Sequence, residues 1–152
     1  MTDPVSYSTS TPRIGLPMLF AGQTQKETTV NEALALIDMI AGGGVLGLRN
    51  DPPSAPTSGQ VWIVGTTPTG VFAGQSNCIA GWTDGGWRFA KPVQGMRVHD
   101  LQSGAMRLFD GSWNVVSAPA APTGGAVVDS EARASLVLVI QALKAIGIFS
   151  DS

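Results

Sequence analysis

The spacing of hydrophobic positions changes three times along the chain. Val30, Ala33, Leu34, Ile37, Ile40 and Ala41 recur at intervals of three and four. This draws one apolar stripe and predicts a helix over 24–41. Thr24 stands at its start with Glu27 at capping-box spacing, and Gly42-Gly43-Gly44 ends it. From 60 to 117 the period becomes two. Val61–Val64, Cys78–Trp82 and Met96–His99 read as strands, with Gly70-Val71-Phe72 as a further short one.

Two Asp-Gly dipeptides in this stretch are hairpin signals. Asp84-Gly85 as a two-residue turn predicts the pairs Trp82/Trp87 and Ala80/Phe89. Asp110-Gly111 treated the same way predicts Leu108/Trp113 and Met106/Val115. Over 131–147 the helical period returns, and Ala132, Leu136, Val139, Leu143 and Ile146 form a heptad seam. Val137, Leu138 and Ile140 lie off that seam, so this helix needs cover on more than one face.

The fold class that follows is α+β, mainly β: a small antiparallel sandwich or barrel flanked by an N-terminal helix and an apolar C-terminal oligomerisation helix. The chain divides into an extended attachment arm over 1–22, a helix and turn over 23–50, a β domain over 51–117, and a linker with the last helix over 118–152. The arm is rich in Ser, Thr and Pro and lacks apolar periodicity. Its one apolar patch, Leu16, Met18, Leu19 and Phe20 around Pro17, is the candidate contact with a neighbouring subunit.

Only 13% of the 152 residues are charged, and the net charge is -2. A soluble domain is usually about one-quarter charged, so Gly, Ser, Thr, Asn and Gln must cover most of this surface. No basic stripe is present, which argues against nucleic acid as a partner. One cysteine, Cys78, and one histidine, His99, argue against a disulfide framework or a Cys/His metal centre; no metal and no cofactor is expected. No 18-residue apolar run exists for membrane insertion, and Met1-Thr2-Asp3-Pro4-Val5 lacks the flank of a signal peptide, so assembly in the cytoplasm is expected.

A catalytic pair of carboxylates would have to come from Asp84, Asp100 and Asp110, and the first and last already serve as turn residues. His99 and Asp100 are adjacent on a strand and point to opposite faces. Cys78 has no base nearby in sequence and reads as a small core residue. No catalytic residue is therefore assigned. The remaining chemistry is aromatic. Trp82, Trp87 and Phe89 share a face with Ala80 and read as core. Trp62 and Phe72, with Asn77 alongside, are the better candidates for stacking on and hydrogen bonding to a sugar.

Ala21-Gly22-Gln23-Thr24-Gln25-Lys26-Glu27, followed by Asn31-Glu32-Ala33-Leu34 and Asp38, resembles the opening of a phage-related domain family of unknown function. The likeness continues through the proline-rich connector, Gly59 to Val64, Thr69-Gly70, Ala73-Gly74, Ile79-Ala80 with Trp82, and Gly85-Gly86-Trp87-Arg88-Phe89. It covers about residues 16–117. Members occur in tailed-phage tail and fibre proteins and in head spikes of gene transfer agents, and are associated with adhesion to cell-surface polysaccharide. The resemblance implies a non-enzymatic virion structural protein on the surface of a phage-like particle. The chain departs from the family in Gly22, where Ala is frequent, and in its short extension past the domain. The expected role is accordingly the base of a head spike, contacting capsid protein and a spike fibre. The expected assembly is a homopentamer, with a trimer second. A glycan-binding receptor module, or a capsular polysaccharide depolymerase, stand as alternatives.

Overall fold

A computed structural model of the chain describes residues 11, 18, 27–125 and 128–150. The protein is α+β and mainly β, with two helices and eight strands; the strands form two sheets and neither closes into a barrel. It divides into two compact units, Met1–Pro92 and Val93–Ser152.

In the first unit, α1 spans Glu27–Ala41. Thr24 and the patch residues Leu16, Leu19 and Phe20 lie outside the described residues. The glycines stop the helix as expected: the Gly42 and Gly43 amides donate to the carbonyls of Asp38 and Ile40, and Gly43 takes a φ of 72°. Two short strands follow, β1 (Gly44–Val45) and β2 (Leu48–Arg49). β3 (Val61–Val64) is buried at every position because β2 pairs it on one edge and β4 (Ile79–Thr83) on the other. The β2–β3 pair is parallel, Leu48 opposite Ile63, so the expected all-antiparallel arrangement is corrected to a mixed one. β4 and β5 (Gly86–Ala90) form the hairpin predicted from Asp84-Gly85, with Trp82 opposite Trp87 and Ala80 opposite Phe89.

This sheet separates two kinds of packing. On one face Val64, Phe72 and Ala80 form a buried cluster against which Trp87 and Phe89 pack. Gly70–Phe72 is a single 3-10 turn and not the expected strand, and it drops Phe72, fully buried, into that cluster. On the other face lies α1, where Met39 is buried over Gly81. The docking side of α1 differs from the expected stripe. Asp38 and Met39 are buried, whereas Val30, Ile37 and Ile40 are exposed. Polar groups decide this orientation. Thr11 Oγ1 donates to the buried Asp38 Oδ1 at 2.7 Å, and Glu32 meets Arg88 of β5.

The second unit is an antiparallel meander of β6 (Arg97–Asp100), β7 (Ala105–Phe109) and β8 (Trp113–Val115), followed by α2 (Ser130–Ala145). The second Asp-Gly turn differs from expectation by one residue. Phe109 pairs with Trp113 and Leu108 with Asn114, so the loop is Asp110-Gly111-Ser112. Gly111 adopts a φ of 110°, and the Asn114 amide donates to Asp110 Oδ1 at 2.6 Å across the loop. A shift of one residue exchanges faces: Trp113 is buried and Leu108 is 39% exposed.

Asp129 caps α2, accepting the Ala132 amide at 2.8 Å. Gly147, at a φ of 75°, ends it, with amides of Gly147 and Ile148 donating to Lys144 and Leu143 carbonyls. The tail then returns to the meander. Met106 N–H donates to the Gly147 carbonyl at 2.6 Å, and Ser150 N–H to that of Val116.

Candidate functional site

The aromatic site expected from Trp62 and Phe72 is not an exposed one. Trp62 is 7% exposed and Phe72 is fully buried, which corrects the expectation that these rings present free faces to a sugar. Both are absorbed by Trp87, whose ring lies 5.7 Å from that of Trp62, 4.9 Å from Phe72 and 5.2 Å from Trp82, mostly edge to face. These are the offset and T-shaped geometries of a packed core. Asn77 is half-buried and takes a φ of 63°, a left-handed turn conformation that Asn tolerates better than most residues. Its amide N–H donates to the Val64 carbonyl, so it closes the connection between β3 and β4.

The titratable groups have structural work. Asp100 is buried, and burial alone would raise its carboxyl. The hydrogen bond from Arg107, the Gln102 amide and the Arg107 charge outweigh that and hold it below the ordinary carboxylate range. Arg107 approaches one oxygen through Nε at 2.7 Å and Nη2 at 2.6 Å. Asp110 is engaged by Asn114. Burial pushes the Cys78 thiol up, with Lys91 opposing, and Sγ faces Gln75 Oε1 at 3.5 Å, in keeping with a small core residue. His99 is half-buried beside Gly147. Among the described residues no group of His, Cys, Asp and Glu is arranged to hold a metal ion, and no helix is long and apolar enough to cross a membrane.

The unusual surface is α2. No residue of this helix is buried. Arg133, Val137, Ile140 and Lys144, at helical spacing, are half-buried on one strip. Arg133 there donates to the carbonyls of Pro122 and Gly124 in the preceding linker. The heptad seam lies on another strip: Ala132 is exposed, Leu136 is 51%, Val139 54% and Ile146 69% exposed, and only Leu143 is half-covered. Leu138 adds a further outward side chain. The helix is thus held by one narrow strip while its seam faces outward. On α1, Val30, Ile37 and Ile40 form a second exposed apolar stripe. Met18, the described member of the arm's apolar patch, is half-buried near α1 residues Asn31, Glu32 and Ala35.

What emerges is a mainly β protein of two units, the first with a packed aromatic core, and each with an exposed apolar strip on its helix. Residues 30–114, more than half of the chain, match the family described as Protein of unknown function (DUF2793), and the chain belongs to that family. No curated protein matches the chain.

Proposed function

We propose that this protein is a non-enzymatic structural component of a phage-like particle of the gene-transfer-agent kind. In this reading it is the base that attaches a head spike or fibre to the capsid and supports adhesion to host surface polysaccharide. The observation that carries the reading is the exposed seam of α2. Large apolar side chains exposed in a row mark an interaction surface, and a heptad repeat on one helix suits the same helix of a second copy. Identical subunits close most readily into rings. A capsid vertex offers a five-fold seat, so a homopentamer comes first and a trimer second. Of the three carboxylates considered for a depolymerase, Asp100 is engaged by Arg107 and Asp110 by Asn114.

The test pairs the wild-type chain with Leu136→Glu and Val139→Asp. Both positions are exposed in the monomer, so neither substitution removes packing within it. Sedimentation of wild-type protein should give a closed oligomer and both variants a folded monomer. Electron microscopy of particles from cells carrying either variant should lack the spike. A wild-type monomer, together with spikes that survive both variants, would overturn the reading.

A further inference from the structure

In the second unit every described carboxylate is engaged, while several basic groups are not. Asp100 pairs with Arg107, Asp110 accepts the Asn114 amide, Asp129 caps α2 and Glu131 accepts the Ser130 hydroxyl. His99 and Lys144, by contrast, have no hydrogen-bond or ion-pair partner among the described residues. Both line one open pocket of about 580 Å³ between β6 and the end of α2, with Gln141 and Ile146 beside them. No acidic side chain lines it among the described residues. We propose that this pocket receives a carboxylate side chain of another protein, presented on an acidic segment next to an apolar residue.

The two walls of the pocket are fixed by backbone. Met106 stands opposite His99 in the β6–β7 register, and its N–H donates to the Gly147 carbonyl at 2.6 Å. The end of α2 is thereby pinned beside the imidazole. Gly147 keeps the space between them clear, because a Cβ there would lie 3.0 Å from His99 Cε1. Lys144 stands in the last turn of α2, and like His99 it is half-buried. Part of the ordering cost of binding is therefore met before a partner arrives.

Charge selects the group. The Lys144 ammonium brings one full charge, while a neutral imidazole and the Gln141 amide add uncharged donors. One positive charge with neighbouring donors matches one carboxylate. Phosphate carries nearly two negative charges and is held by clusters of arginines, and an anionic membrane by clusters of basic residues. Exposure selects the form of the partner. Small-molecule sites bury most of their ligand, whereas this pocket is open and Ile146 at its rim is 69% exposed. A carboxylate carried on a protein surface beside an apolar side chain satisfies both walls. Gln141 and Lys144 lie off the α2 seam, so the pocket does not compete with self-assembly through Leu136 and Val139. Neither the pocket nor its charge depends on the oligomer.

Fluorescence anisotropy of the full chain with short labelled peptides tests the site. One peptide alternates Glu with Leu, a second Gln with Leu and a third Lys with Leu. The Glu/Leu peptide should bind, more weakly as salt rises, and the other two at least tenfold more weakly. Lys144→Gln combined with His99→Gln should weaken Glu/Leu binding at least tenfold, the loss expected for a hydrogen bond to a charged group. Circular dichroism checks that the double variant folds, and if it does not, Lys144→Gln alone should weaken binding by about threefold. Equal binding of the Gln/Leu peptide, binding that survives the folded variant, or no binding by the wild-type chain overturns the proposal. Displacement of the peptide by millimolar inorganic phosphate, or cosedimentation with phosphatidylglycerol vesicles that is lost in the same variant, overturns it in favour of a phosphate or a membrane.

Discussion

Met39 of α1 lies over Gly81 of β4 so closely that a Cβ at position 81 would stand 2.5 Å from Met39 Sδ and 3.0 Å from Cγ. Met39 is 5% exposed, so its thioether would have to leave a buried position to make way. The helix thus seats on the sheet because the strand lacks a side chain at that point. Gly81→Ala should therefore cost about 1–3 kcal/mol, the usual penalty for adding a methyl to a filled site, although Ala is the better strand residue. Thermal or urea unfolding checks it. A neutral or stabilising result would mean that α1 is not seated as described.

Trp87 is the centre of the aromatic cluster, touching Trp62, Phe72, Trp82 and Phe89. Trp87→Ala should destabilise the protein by about 3–5 kcal/mol. Any loss of particle attachment should then follow the loss of folded protein. A variant that melts like wild type but fails to bind would return Trp87 to the role of a stacking surface.

Asp100 and Arg107 predict an acid limb. The folded carboxyl lies below its ordinary value of 3.8, so deprotonation favours the native state. That contribution is present in full above the ordinary carboxylate range and is lost as pH falls through it toward the depressed folded value. Stability should drop below about pH 4, and Asp100→Asn should flatten this part of the curve. Arg107→Ala should be worse than Asp100→Asn at pH 7, by roughly 3–5 kcal/mol against wild type, because it leaves a buried charge unpaired. Denaturant titrations from pH 2 to 8 compare the three proteins.

Much of the β architecture was legible because local chemistry and global packing agree there. Asp84-Gly85 set the pairing of Trp82 with Trp87 without reference to anything distant. The second hairpin was off by one because Ser112 joins the loop, held by the Asp110–Asn114 bond that period counting does not register. The outward turn of α1 was hidden for a different reason. Apolar periodicity identifies a face, but Thr11, Glu32 and Arg88 hold the other side of the helix to its own domain. Phe72 became core through the 3-10 turn at Gly70–Phe72, a change of direction that strand periodicity does not encode, and Trp62 through its contact with Trp87. On α2 the off-seam Val137 and Ile140 are half-buried, whereas of the large seam residues only Leu143 is.

The end of α2 offers a test of how firmly that outward seam is held. Gly147 has a φ of 75°, and a Cβ there would lie 3.0 Å from His99 Cε1 and 3.1 Å from Nδ1. Two costs are therefore combined at one position, left-handed backbone and collision with the imidazole. Gly124 separates them, having nearly the same φ of 74° and nothing within 4 Å of its Cβ position. Gly124→Ala should show the backbone cost alone, at most about 1–2 kcal/mol. Gly147→Ala should exceed it, and His99→Ala in the same chain should recover the excess but not the backbone part, giving a coupling of about 0.5–3 kcal/mol in the cycle. Because the Gly147 carbonyl also accepts the Met106 amide, the backbone cannot move aside without breaking a bond to β7. Equal losses at 124 and 147, with no coupling to His99, would show that the helix end is free to shift.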